Sequence, residues 1–578
     1  MKTTTNSIYV VFAVFAFGYF ALSPLARAVD PPPDGGYPGA NTAEGTNALL
    51  NLTSGEFNTA IGFEALLGNT TGNSNTAVGA YALFNNSEGH NNTATGDRAL
   101  LTNTTGDSNT ACGGDALLYN NGNHNTAIGA TALQNNNGGS NNVASGSGAL
   151  FSNTSGNRNT ADGYSALASN TTAGDNTAIG WQALFSNTNG SGNTATGSQA
   201  LYSNTTGADN TASGFQALQN NTFGRGNTAT GCGALHENTY GDGNTAVGLK
   251  ALFNNNTGTE NTAAGVRALL TNTTGSANTA SGYEALGRNT TGVANTATGD
   301  HALQGNTTGF YNTAVGFTSL WFNTTGIHNT AMGTSALSRN TIGGDNTATG
   351  FNALASNTTG GSNTSIGGGA LAGNSTGSDN IALGQSAGIN ITGSNNIDIG
   401  ALGHASDANT IRIGRPTIHD STFIAGIHGV PMSGSVVVVN SSGKLGVTTS
   451  SARFKNEIQP MDRASEAILA LKPVTFRYKE DIDPDAVPQF GLIAEDVEKV
   501  NPDLVMRDRG GKPFGVRYDA VNAMLLNEFL KEHRTVQEQQ KEIDALKAEL
   551  KEQRALIQKV NDKVELDKPA PQTVLNNQ

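Results

Sequence analysis

Asn92-Thr93-Ala94-Thr95-Gly96-Asp97-Arg98-Ala99-Leu100-Leu101-Thr102-Asn103-Thr104-Thr105-Gly106-Asp107-Ser108 is one unit of a repeat, and its reading decides the fold. The pattern is N-T-A-x-G-x-x-A-L-x-x-N-T-T-G-x-x. Its first alanine recurs at Ala43, Ala60, Ala77, Ala94 and Ala111, seventeen residues apart each time. One step of sixteen leads to Ala127. The seventeen-residue step then holds to Ala348, and Ser365 and Ala382 keep the register, giving about 21 units. A disordered low-complexity tract has no reason to keep phase over such a length. A solenoid must, because each unit stacks on the one before.

The unit also says which kind of solenoid. Helical repeats need long runs of strong helix formers, whereas each unit here carries two or three glycines and no helical stripe. N-T-A-x-G reads as a short strand ended by a glycine turn. The A-L pair, as in Ala82-Leu83 or Ala183-Leu184, supplies the recurrent buried contact. N-T-T-G is expected to turn the chain back, with Asn and Gly in left-handed backbone. Stacking in register predicts ladders of Ala, Leu, Asn and Thr about 4.8 Å apart, and a rod roughly 100 Å long. One leucine and a few small residues per coil bury little apolar area, so the rod is expected to need partners.

Asn380-Ile381-Ala382-Leu383-Gly384 and Asn396-Ile397-Asp398-Ile399-Gly400 carry a resemblance to the left-handed parallel β-roll of trimeric autotransporter adhesin heads. It covers residues 41–414, although this unit is longer than the usual adhesin one, and the C-terminal membrane barrel of those adhesins has no counterpart in the sequence. The resemblance implies a homotrimer.

Glycine makes up 74 of 578 residues, charged residues only 13%, and the formal charge is −13. No basic stripe is available to phosphates, which excludes a nucleic-acid partner. Residues 1–28 read as a secretory signal: Lys2, the apolar run Ile8 to Leu22, then Ala26-Arg27-Ala28 as a small-x-small cleavage site. A Pro/Gly-rich leader follows at 29–40. The product is expected to be secreted or on the cell surface, with no membrane span once the signal is removed. Cys112 and Cys232 lie in different phases of the repeat, seven repeats apart, too far for one disulfide. The nine histidines have no ligand spacing, so neither a metal nor a cofactor is expected.

Residues 415–449 read as a β-rich neck, with Val436 to Val439 a strand entering the turn Asn440-Ser441-Ser442-Gly443. Beyond Lys455 the composition changes. Met461 to Leu471 looks helical, Val474 to Tyr478 a strand, and Ile493 to Val500 helical. Tyr518 starts a helix that runs into heptads over 529–565. Phe529, Val536, Ile543, Leu550, Ile557 and Val564 fall at one seam position; Leu546 and Val560 share the other with Gln539 and Gln553, the pattern of a coiled coil. Residues 566–578 read as a disordered tail.

Three blocks in the C-terminal region carry a second resemblance: Ser450-Ser451-Ala452-Arg453-Phe454-Lys455-Asn456-Glu457-Ile458, Gly491-Leu492-Ile493-Ala494-Glu495-Asp496-Val497-Glu498, and Val516-Arg517-Tyr518-Asp519-Ala520-Val521. With the terminal heptads, 450–528 resembles the self-cleaving intramolecular chaperone domain of phage endosialidases, tail spikes and tail fibres. That resemblance implies a domain that assembles the trimer and then cuts the peptide bond before a serine, using a Ser–Lys dyad. Carried over by position, the nucleophile is Ser450, the base Lys455 and the cleavage site Thr449–Ser450. The enzyme is then a serine endopeptidase acting in cis on its own chain, without other substrates. A serine hydroxyl needs a base, and a lysine amine serves only when unprotonated, through burial or a neighbouring cation such as Arg453. Glu457, Glu495 and Asp496 read as surface charges.

Together these readings give a mainly β protein: a secreted trimeric fibre or adhesin-like surface protein with a self-removing chaperone. Its partners are its own copies and a surface glycan or other cell-surface ligand. The alternative is a phage tail-spike-like protein that binds or degrades carbohydrate. Glycoside hydrolysis needs two converging carboxylates, and the repeats place acids only sporadically, as at Glu44, Asp162 and Asp300.

Overall fold

The computed structural model describes residues 37–419, 421–424, 436–440, 442–508 and 510–566. The expected signal peptide, most of the leader, part of the neck and nearly all of the tail lie outside the described residues. The chain divides into two units, 1–423 and 424–578.

The first unit is a parallel β-solenoid. Twenty-three strands of three residues, from Thr42–Glu44 to Ile411–Ile413, form one sheet. Each N-T-A-x segment supplies one strand and pairs with its equivalent one coil on, Thr59 with Thr76 and Ala60 with Ala77. The middle alanine points inward and its two neighbours point out, as in Thr93–Thr95.

The interior is not what the apolar residues alone suggest. Within one chain, Ala77, Ala82 and Leu83 are fully buried, and so are Asn75 and Asn86. These asparagines form two continuous amide ladders. Asn204 Nδ2 donates to Asn187 Oδ1 at 2.8 Å and to the Gly207 carbonyl at 2.9 Å, and Asn221 Nδ2 donates back to Asn204 Oδ1 at 2.7 Å. In the second ladder, Asn210 Oδ1 accepts from both the backbone N–H and Nδ2 of Asn227, at 3.0 and 3.1 Å. Each coil therefore closes its own core with satisfied amides in place of apolar bulk. The expectation that burial requires partner chains is corrected on this point.

The turn chemistry also differs from expectation. The asparagine and glycine of N-T-T-G are not left-handed; the leucine of each A-L pair is, with φ of 49–54° along the ladder. Left-handed backbone costs a bulky residue about 1–2 kcal/mol, and full burial of leucine returns about 1.5–3 kcal/mol. The N-T-T-G glycine is needed for space instead. A Cβ on Gly207 would collide with Asn204 Oδ1 and the Gly224 carbonyl. The glycine after the strand has both constraints: Gly62 sits at φ 135°, and a Cβ there would lie 2.5 Å from the Gly79 carbonyl.

The two ends of the stack differ from its middle. Tyr37 pairs with Asn41, and Asn41 Nδ2 also donates to the Gly55 carbonyl at 2.9 Å. At the other end the step shortens, Ile381 pairing with Ile397 and Ile397 with Ile411. Arg415 donates to the Gly400 carbonyl (Nε, 3.1 Å) and the Gln385 carbonyl (Nη2, 2.9 Å).

The second unit is small. Val437–Val439 and Leu445–Val447 make an antiparallel hairpin. Asp462–Ala470 is helical as expected but wound as a 3-10 helix. Ser465 Oγ lies 3.2 Å from the Asp462 carbonyl, which shares the one hydroxyl proton with Glu528, and this is one of the local contacts that compete with α-winding. Val474–Phe476 pairs with Gln489–Gly491, and Val505–Arg507 with Pro513–Val516. A short helix, Ala494–Val500, precedes the second pair, and a 49-residue helix, Tyr518–Leu566, closes the unit. Val497, Leu504, Val505, Val516 and Met524 are its buried core. The heptad-seam residues Phe529, Val536, Ile543, Leu550, Ile557 and Val564 are all exposed in one chain.

Candidate functional site

The segment Thr448–Ser451 runs without regular structure out of the hairpin, then Ala452–Phe454 makes one 3-10 turn. Phe454 N–H donates to the Ser451 carbonyl at 3.1 Å and Lys455 N–H to the Ala452 carbonyl at 3.0 Å, so Lys455 caps the turn in extended conformation. Ser450 and Lys455 thus flank a single tight turn. Both are exposed in the single chain, and among the described residues no hydrogen bond joins their side chains. Arg453 is committed elsewhere: its guanidinium lies 4.6 Å from the centre of the Phe454 ring. Phe454 and Ile458 are themselves largely exposed.

The second and third sequence blocks do meet. Leu492 N–H donates to the Tyr518 hydroxyl at 2.8 Å, and Arg517 N–H to the Leu504 carbonyl at 2.9 Å. Gly491 is a glycine for this reason, since a Cβ would sit 2.6 Å from the Tyr518 oxygen. Asp496 pairs with Lys499 at 2.8 Å, and that hydrogen bond holds its carboxyl below the usual range, in keeping with a surface charge.

A different serine and lysine are in contact. Ser465 is fully buried. Its Oγ accepts from Asn527 Nδ2 at 2.7 Å and from Lys531 Nζ at 3.3 Å, and it bonds Glu528. Lys531 also pairs with Glu528 at 2.6 Å. The Lys531 hydrogen bond, then that from Ser465, lowers the Glu528 carboxyl below its ordinary range. With every direction around Oγ engaged, Ser465 has no room for a substrate carbonyl. The knot fastens the 3-10 segment to the long helix. Sequence reading missed it because its partners lie more than sixty residues away; only the i, i+3 Glu528–Lys531 pair was visible locally.

The solenoid brings two acids together at its last coils. Asp398 stands where other coils have alanine, 1% exposed, with neither carboxylate oxygen hydrogen-bonded. Burial, and then the charge of Asp407, push its pKa up to about 6. Asp407 is held by Arg412 at 2.6 and 2.7 Å, which keeps its own carboxyl low. Among the described residues, no group of three or more His, Cys, Asp or Glu is placed to hold a metal, and no helix is long and apolar enough to cross a membrane.

Residues 450–506 match the protein family described as Chaperone of endosialidase. No curated protein and no solved structure matches the chain. A segment similar to that family, directly behind a β-solenoid, fits a trimeric fibre.

Proposed function

We propose that the chain is a secreted or surface-displayed fibre of three copies, whose residues 450–528 assemble the trimer and then detach by cutting Thr449–Ser450. The observation that carries this reading is the start of the family match at Ser450, the first residue after the scissile bond. Ser450 Oγ attacks the Thr449 carbonyl while Lys455 takes the hydroxyl proton. The Thr449–Ser450 C–N bond then breaks as the Ser450 nitrogen takes up that proton and leaves as the amine, and water hydrolyses the resulting ester to free the Thr449 carboxylate. Ser450 and Lys455 are both exposed and unjoined in a lone chain, so the dyad is not assembled there. Packing of partner copies around Phe454 and Ile458 would bring the serine and the lysine together away from water, as general-base chemistry requires. Cleavage then follows assembly and does not precede it. The exposed heptad seam and the five-residue core of the second unit support a domain completed by other copies.

Intact mass of the assembled full-length protein tests this. Wild type is expected to end at Thr449, while Ser450→Ala and Lys455→Ala remain uncut and still form trimers. A wild-type trimer that still carries residues beyond Thr449 overturns the reading. The carbohydrate-degrading alternative has no observation in its favour. Where two acids do meet, Asp398 is sealed and Asp407 is engaged by Arg412.

A further inference from the structure

The two outward positions of the solenoid strands form two parallel columns along the rod. The first is threonine in coil after coil, with Val143 the exception before Ile381, Ile397 and Ile411. The second mixes small and β-branched residues and ends in Ile366, Leu383, Ile399 and Ile413. Along both, from Thr42 to Ile413, the charged side chains are Glu44 and Asp162 alone, while other outward positions of the coils carry charge freely.

The first threonine of the N-T-T-G turns donates to the next coil, Thr188 to the Thr205 carbonyl and Thr205 to the Thr222 carbonyl, each at 3.0 Å. The second, as at Thr206 and Thr274, makes no side-chain hydrogen bond within the described chain. The threonines of the strands, Thr194 and Thr211 among them, make none either. Their hydroxyls have no task inside the coil.

We infer that this sheet face is where the second and third copies of the chain pack, parallel and in register, with the isoleucine-rich stretch from Ile366 to Ile413 as an apolar clasp. The inference rests on the trimer reading above and adds the surface. About 22 steps of ~4.8 Å, two side chains wide, give roughly 700–1,000 Å² per copy, the size one partner contributes to a standard interface. Identical rows facing each other let threonine hydroxyls pair across copies. The clasp is the part of the face with the most apolar area to remove from water, so association begins there. Two residues oppose this packing, Glu44 in the first coil and Asp162 inside the face. In-register copies bring Asp162 against itself, so Asp162→Ser should tighten the assembly.

The chain carries its own reporter. Cys112 lies in the second column and Cys232 outside it, both free and exposed in a single copy. In the assembled full-length protein, Cys112 is expected to resist maleimide while Cys232 reacts. Oxidation with diamide, which accepts the two electrons and two protons, should link copies through Cys112, and Cys112→Ser should abolish that link. Ile399→Lys with Ile413→Lys, both on the surface of a single coil stack, should restore Cys112 labelling. Multimers in which Cys112 reacts as freely as Cys232 overturn the assigned face, leaving it open to solvent or ligand, and leave the trimer reading intact. A protein that stays monomeric by native mass overturns both.

Discussion

The asparagine side chain does work in this fold that a hydropathy reading assigns to leucine. Each buried amide both donates and accepts, so removing one is felt on two neighbouring coils. Asn204→Ala orphans Asn187 Oδ1, at about 1–3 kcal/mol, and leaves the Gly207 carbonyl only Asn193 Nδ2 and Asn221 Nδ2 only the Gly224 carbonyl. Hydrogen exchange should show protection lost around coils 187–221 and kept far from them. Asp398 is the reverse case, a charge where the ladder wants a methyl group. Its pKa in the fold is raised from 3.8 to about 6, so the folded state favours the protonated form. Stability from this group is complete below pH ~4, and falls as pH rises to about 6, by about 2–3 kcal/mol. Asp398→Ala should therefore protect the last coils from proteolysis at pH 8 and give little benefit at pH 4. The period was legible in the sequence, but the role of its asparagines was not. Asn next to Thr and Gly reads as turn chemistry, and only closure of the coil shows which side chains are sealed. The left-handed leucines were hidden for the same reason, because their strain is tolerated only where the core receives them.

At the scale of elements, the second unit depends on ties between segments far apart in sequence. Gly491→Ala drives a methyl into the Tyr518 hydroxyl, while Tyr518→Phe removes an acceptor from the Leu492 N–H at about 1 kcal/mol. The two changes are expected not to add. The double variant should unfold near the Tyr518→Phe midpoint, and Gly491→Ala alone below both, as read by denaturation of the Ser450→Ala chain. Additive losses would mean that the clash is relieved elsewhere. The helices and the strand at Val474–Phe476 were legible from composition and from the three blocks, whereas Gln489–Gly491, Val505–Arg507 and Pro513–Val516, strands of three or four residues that hold only by pairing, were not. What the blocks concealed was the difference between proximity in sequence and contact in space. Ser450 and Lys455 are five residues apart and do not touch, whereas Ser465 and Lys531 touch across 66 residues.

For the whole molecule, stacking of equivalents makes a coil the unit of tolerated change. Deleting residues 194–210 removes one rung and lets Thr177 pair with Thr211. This variant should remain folded, with circular dichroism and melting close to wild type. Deleting three residues from inside the strand and glycine of one coil, such as 195–197, takes away a rung's buried alanine and its turn, and should split the melting transition. Natural steps of sixteen and fourteen residues fall at the turns and not in the strands, consistent with that division.

Arg415 has a consequence for the solution behaviour of the rod. A stack of parallel strands ends in a row of unpaired backbone groups, and such an edge is a template for another molecule's edge. Arg415 commits its guanidinium to the Gln385 and Gly400 carbonyls of the last coils, which leaves two fewer acceptors open to another molecule there. Arg415→Ala should convert discrete rods into head-to-tail filaments visible by electron microscopy. A population that stays at single-rod length would assign termination to the shortened last coils instead.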